Sequence, residues 1–367
     1  MHRRIASLVF LMTVFSYSET LVSPAHPALQ YMGRIDRSNP KQIAFDWPGI
    51  VIQTIFTGTS CSAVFEGVNC FDIFIDGIHS STVRTGTKKA KYPLAENLTD
   101  RSHRLVIAKR SESAGAPTVF YGLMLDKDKE LVQPPPPSKR KIEFIGDSYT
   151  VGFADEYLGR ECAAGKDDSI IFAATNTGKA FGPLVAKAFS AQYQINAVSG
   201  KGLVRNYNGI DKGHELPVCY ERTLVSTVNV PDKAGEWDFS SWKPDVVVIG
   251  LGINDFQANP PYPDSTVFDT AYHTFIDKIR KRYPDVKIIC CATKVWPTDA
   301  LFARVKAIVT EEQRRGNKNI RYFDYISENG ALYGHPNLHD HQMIAEELIP
   351  VVAEITGWHR TDMNRGK

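Results

Sequence analysis

The chain has 367 residues, 43% hydrophobic and 23% charged, with 43 basic against 41 acidic side chains and a net charge of +2. This is the composition of an ordinary globular protein, and its near balance of charge leaves no electrostatic basis for binding nucleic acid or an anionic membrane surface. At this length two domains are expected.

At the N-terminus, His2-Arg3-Arg4 precedes an apolar run from Ile5 to Phe15, and Ser16 and Ser18 supply small residues for cleavage. The pattern predicts a secretory signal peptide over 1–18, too short to span a bilayer. A disordered or anchored N-terminus is the alternative. No later stretch reads as a membrane span, so a secreted, extracellular, monomeric protein is expected. Six cysteines suit that compartment. Cys61 and Cys70 could staple a hairpin, Cys162 and Cys219 could pair across loops, and the adjacent Cys290 and Cys291 read as buried thiols.

Residues 24–132 read as short strands broken by turn residues. The runs Ile50–Phe56, Ser62–Phe65, Phe71–Ile75, Leu105–Ala108 and Thr118–Met124 alternate or stay apolar and stop at Gly58, Gly67 or Asp76-Gly77. With no helical period among them, the pattern predicts an all-β sandwich of jelly-roll type. Gln133-Pro-Pro-Pro-Pro137 and Ser138-Lys-Arg140 then read as a stiff, solvated linker over 133–140.

From 141 to 360 strands and helices alternate. Ile142–Ile145 is a buried strand ending in Gly146-Asp147-Ser148, with a helix expected from Tyr149 towards Leu158. A helix follows with its apolar face at Phe181, Leu184, Val185, Ala188 and Phe189, then a strand at Tyr193–Val198 and a fully apolar strand at Val246–Leu251. Three helices are expected over Phe268–Ile279, Asp299–Arg315 and Asp340–Ile355, with strands at Lys287–Ala292 and Ile320–Tyr325 between them. Such alternation implies a parallel sheet covered on both faces, an α/β domain whose ligand site lies beyond the C-terminal strand ends.

Polar residues stand at those ends. Ser148 sits at a strand-to-helix turn, where free N–H groups and the helix dipole would favour an anion. Ser199-Gly-Lys-Gly202 lets backbone approach closely, Asn254 offers a pH-independent amide donor suited to an oxyanion, and His335 falls just before the last helix. Trp296 stands at the same rim. Each has a plain reading as a cap or turn residue; together they supply a nucleophile, a backbone donor, an amide donor and a base. The cluster His339-Asp340-His341 reads as a helix cap with a packed histidine rather than a metal site.

The set Gly146-Asp147-Ser148, Gly200, Gly252-Ile253-Asn254-Asp255 and His335-Pro336 resembles the four blocks of the SGNH (GDSL-type) hydrolases. Gly33-Arg34, Phe45-Asp-Trp-Pro-Gly49, Phe71 to Gly77, Ser199-Gly-Lys-Gly-Leu-Val-Arg-Asn206 and Trp237-Asp-Phe-Ser240 look like carbohydrate esterase family 2. That resemblance implies a jelly roll joined to an SGNH domain with a flavodoxin-like three-layer parallel sheet. It implies Ser148 as nucleophile, His335 as general base, and an oxyanion hole of Ser148 N–H, Gly200 N–H and the Asn254 amide, with Trp296 and Tyr207 walling a sugar site. The implied activity is removal of O-acetyl groups from plant-type polysaccharide or oligosaccharide, with no metal or other cofactor. A non-catalytic carbohydrate-binding protein and a GDSL-type lipid esterase are the alternatives. One departure stands out. The SGNH pattern has an Asp three residues before the His, where this chain has Leu332. Asp324 is a candidate third triad member; a main-chain carbonyl near 332–334 is the other, and the preferred expectation.

Overall fold

The computed structural model describes residues 19–113, 115–229 and 235–361. The expected signal peptide over 1–18 lies outside them. Among the described residues the N-terminal half is made of eleven strands: β1 (Thr20–Val22), β2 (Gln30–Met32), β3 (Ile43–Phe45), β4 (Val51–Gly58), β5 (Cys61–Glu66), β6 (Cys70–Ile75), β7 (Ile78–Arg84), β8 (Ala90–Ala95), β9 (Arg101–Lys109), β10 (Thr118–Leu125) and β11 (Leu131–Val132). They pair antiparallel in two sheets. One runs β1-β10-β5-β8 with β3 also on β10; the other runs β11-β4-β9-β6-β7 with β2 also on β4. Alternation along the strands sends Phe65 and Phe120 into the core from one sheet and Phe71 and Ile107 from the other. The Phe65 and Phe71 rings stack at 4.7 Å between centroids. This is the expected jelly-roll sandwich.

The cysteine pairings are corrected. All six cysteines are free. Cys61 and Cys70 do not share a hairpin, because the chain crosses from one sheet to the other between β5 and β6. The whole length of β5, six residues, separates them. Cys162 donates to Asp167 at 2.7 Å, and Cys219 is buried in a short helix.

Five parallel strands follow: β12 (Lys141–Gly146), β13 (Gln192–Ala197), β14 (Val246–Gly250), β15 (Lys287–Thr293) and β16 (Ile320–Tyr325), in the order β13-β12-β14-β15-β16. The helices are α1 (Ser148–Val151), α2 (Asp167–Ala174), α3 (Phe181–Ala188), α4 (Leu216–Cys219), α5 (Ser265–Arg282), α6 (Leu301–Arg314) and α7 (Leu338–Thr356). The strand order reverses after β12. Right-handed crossovers therefore put α3 on one face and α5 and α6 on the other. α7 packs on α3 and completes the first layer. None of these helices is long and apolar enough to cross a membrane.

One sequence expectation changes here. The helix after Ser148 is a single turn, ended by Gly152 at φ 76, rather than a run to Leu158. The proline-rich stretch over 133–140 is mostly exposed and is held to the fold at two points. Gln30 donates to the Pro135 carbonyl at 2.9 Å and Gln192 donates to that of Ser138.

Sandwich and parallel sheet share one continuous buried core. At its centre Arg34 and Glu143 are fully buried, with Nη2 3.2 Å from Oε1. Tyr220 Oη (2.9 Å) and Asn196 Nδ2 also donate to Glu143. The guanidinium donates to the Tyr220 and Arg222 carbonyls and lies 4.6 Å from the Tyr220 ring centroid. Each charge thus has the additional polar partners that a buried pair requires. Nearby, the Asp46 carboxylate accepts from the Val225 and Ser226 N–H groups at 2.9 and 2.8 Å, and Trp47 Nε1 donates to the Thr223 carbonyl at 3.1 Å.

Candidate active site

Ser148 follows β12 and Asn254 follows β14, on the two sides of the switch point where a doubly wound sheet opens a crevice. Ser148 is the first residue of α1, capped by Asp147, whose Oδ1 accepts from Tyr149 N–H at 3.0 Å. Because the helix stops after one turn, Phe153 swings back over His335, ring centroids 4.4 Å apart.

His335 Nε2 lies 2.9 Å from Ser148 Oγ, and its Nδ1 lies 2.8 Å from the Leu332 carbonyl oxygen. A carbonyl can only accept, so Nδ1 carries the hydrogen and Nε2 is the acceptor facing the serine hydroxyl. The carbonyl is aimed by a tight turn over Leu332–Gly334 in which Tyr333 has φ 55 and Gly334 φ 74. Three bonds fix that turn: Ala331 N–H to His335 O (2.9 Å), Tyr333 N–H to Arg160 O (2.9 Å) and Tyr149 Oη to Gly334 O (3.2 Å). Desolvation beneath Phe153 and Tyr149 pushes the His335 pKa down, to about 4, against the smaller opposing pull of the Leu332 carbonyl. The imidazole is therefore neutral at neutral pH.

Asp324 stands apart from this arrangement. Alternation on β16 buries Phe323 and Tyr325 and turns Asp324 outward to solvent. Among the described residues nothing joins it to His335, whose Nδ1 is already engaged.

Asn254 is buried and donates from Nδ2 to the Lys201 carbonyl at 2.8 Å, which uses one of the two amide hydrogens. Gly200, at φ 79, stands beside it. Ser148, Gly200, Asn254, His335 and Tyr207 line one cleft of about 380 Å³. Trp296, 79% exposed beyond the end of β15, is not part of that lining. Phe153, Gln257 and Tyr333 also line the cleft and went unread in the sequence. Tyr333 is the neighbour of the departing Leu332, the one signal that pointed there.

Asp255 is a second omission. It is fully buried and accepts the N–H groups of Leu203, Val204 and Arg205 at 2.9, 2.8 and 2.9 Å, tying the loop after Gly200 to the end of β14. Burial raises its pKa to about 6. Burial, with Asp255 nearby, raises that of Asp147 to about 7. The His339-Asp340-His341 cluster is a helix start. Asn337 and Asp340 form a reciprocal capping box, and His341 is buried with Nδ1 accepting from Phe181 N–H at 3.3 Å. Among the described residues no group of three ligating side chains could hold a metal ion.

Residues 31–135 match the family model for the carbohydrate esterase 2 N-terminal region, and residues 144–341 match the GDSL-like lipase/acylhydrolase family. An acetylxylan esterase/glucomannan deacetylase of Cellvibrio japonicus is 36% identical over 69% of this chain and 67% of its own length. The cellulase/esterase CelE of Acetivibrio thermocellus is 32% identical over 91% of this chain, which spans 40% of that longer protein. Among solved structures, a family two carbohydrate esterase from Clostridium thermocellum in complex with cellohexaose superposes with a TM-score of 0.81 at 30% identity. That match covers 90% of this chain and all of the other.

Proposed function

The chain belongs to carbohydrate esterase family 2, and on that premise we propose that it is a secreted, serine-dependent acetylesterase acting on acetylated plant-type polysaccharide or oligosaccharide. The observation that carries this reading is the hydrogen-bonded line from the Leu332 carbonyl through His335 to Ser148 Oγ, opening into the cleft.

In this mechanism Ser148 Oγ attacks the acetyl carbonyl carbon while its proton passes to His335 Nε2. The carbonyl oxygen becomes an oxyanion, received by the Ser148 and Gly200 N–H groups and the remaining Asn254 amide hydrogen. The imidazolium then protonates the departing sugar oxygen, the C–O bond breaks, and an acetyl-enzyme is left. Water attacks that ester with His335 again as base, and acetate leaves. The cleft, at about 380 Å³, sets hydroxyl, amide and imidazole groups beside the Phe153, Tyr207 and Tyr333 rings, room for a small acyl group next to a sugar. Exposed aromatic faces at Tyr207 and Trp296 are surfaces on which a sugar ring can stack.

The test is acetate release from acetylated xylan, mannan and pectin, and from an aryl acetate, by wild type and Ser148→Ala. The variant should fold normally and lose essentially all hydrolysis. More than a tenth of wild-type activity in the folded variant would remove Ser148 from the nucleophile role. Binding of these glycans without any ester hydrolysis by wild type would favour a non-catalytic binding protein instead.

A further inference from the structure

The Ser199–Gly200 peptide carries one donor of the oxyanion hole on the reading just given, and the inference here rests on that reading. Gly200 sits in the left-handed region at φ 79, where a glycine is free to rotate, so its N–H keeps one direction only if the peptide is pinned from both sides. On the far side, the Gly200 carbonyl accepts from Tyr207 N–H at 2.7 Å. On the near side, the Ser199 N–H donates to Glu112 Oε2 at 2.9 Å. Glu112 lies 87 residues away in sequence, in the sandwich segment just after β9.

That segment is a rigid support. Lys109 N–H donates to the Ile50 carbonyl (2.8 Å), Arg110 N–H to that of Cys70 (2.9 Å) and Ser113 N–H to that of Asp46 (3.2 Å). Across the seam Thr177 N–H donates to the Arg110 carbonyl at 2.7 Å. Buried Lys109 lies close enough to act on the Glu112 carboxyl and donates to the Asp46 carbonyl at 3.1 Å. Burial pushes Glu112 up from its ordinary pKa, opposed by its hydrogen bonding with Ser199 and by Lys109.

We propose that Glu112, supplied by the N-terminal sandwich, is a positioning residue for hydrolysis: by holding the Ser199 N–H it aims the Gly200 N–H at the acyl oxygen. The sandwich thus completes the oxyanion hole of the parallel-sheet domain.

The test uses the full chain, with active sites counted by complete labelling with a serine-directed phosphonate. Per labelled site, Glu112→Leu is expected to lose about ten- to a hundredfold in kcat on an aryl acetate, part of what removal of an oxyanion donor costs, with KM moved less than about threefold. Affinity for a boronic acid that forms a tetrahedral serine adduct should fall in parallel, because the adduct uses the same donors. Glu112→Gln keeps an acceptor oxygen and should recover to within about fivefold of wild type. Should the leucine variant fail to fold, Glu112→Asp, which cannot reach Ser199, carries the same expectation. A merely structural glutamate would lower Tm while leaving kcat per site and boronate affinity at wild-type values, and that result overturns the proposal. Ser148→Ala is measured alongside: residual activity there defeats the mechanism itself, whereas an inactive Ser148→Ala beside a fully active Glu112→Leu defeats only the role of Glu112.

Discussion

Replacing Asp324 by Asn should leave turnover within about threefold of wild type, although an aspartate orients the histidine in the well-known serine triads. There, the corresponding Asp→Asn change lowers turnover about 10⁴-fold, or about 5.5 kcal/mol at 1.36 kcal/mol per decade. Here Nδ1 is held at 2.8 Å by the Leu332 carbonyl and Asp324 points to solvent, so the substitution removes nothing that touches the imidazole. The same geometry predicts an unusual acid limb. A neutral carbonyl does little to offset the cost of burying an imidazolium, and the His335 pKa falls to about 4. The base must be neutral to accept the serine proton. The His335 step in activity on an aryl acetate should therefore be half complete near pH 4, where an ordinary histidine would titrate near pH 6.5. Buried Asp255 and Asp147, raised to about 6 and about 7, are the groups beside the site that change charge above it. The assay must be a brief pH jump. His335 and His341, the latter depressed to about 3 by burial, both take up protons more readily in the unfolded chain. Their contribution to stability is present above about pH 6.5 and is lost as pH falls towards their folded values. A hundredfold loss in folded Asp324→Asn, or a His335 ring that titrates at pH 6.5 or higher when followed by NMR, would refute the carbonyl-oriented dyad.

Asn254→Ala should cost about 2.7–4 kcal/mol of transition-state stabilisation, seen in kcat rather than KM; an unchanged kcat would mean that the amide does not meet the oxyanion. Arg34→Met strands the buried Glu143 carboxylate and should destabilise the chain by about 3–5 kcal/mol in chemical denaturation, with an unshifted midpoint as the contrary result. In Gly202→Ala the new Cβ would fall 2.1 Å from the Arg205 carbonyl oxygen and 2.6 Å from Asp255 Oδ2, so the loop must move. A loss of about 1–3 kcal/mol and a lower kcat are expected, and a variant matching wild type in both would show that the loop is not tightly held.

What the sequence determined by itself was local. Strands with unbroken apolar runs, such as Val246–Gly250, and helices with a clear apolar face, such as Ser265–Arg282, were legible because period and burial coincide within one element. The alternation of strands and helices then implied a parallel sheet with polar groups at its strand ends, so Ser148, Gly200, Asn254 and His335 could be marked before any contact was known. What only the tertiary structure decided depends on chain paths that no local pattern encodes. The helix after Ser148 stops after one turn, which places Phe153 over His335. The Leu332–Gly334 turn, with two residues at positive φ, is what swings a carbonyl onto Nδ1 in place of a carboxylate. Cys61 and Cys70, nine positions apart, end up on different sheets because the chain crosses the sandwich between them. Arg34 and Glu143, like Glu112 and Ser199, meet across the seam only because the two halves bury one core. Residues a hundred positions apart carry no mutual signal in one sequence; their pairing is fixed when burial leaves a charge or an N–H group that must find a partner.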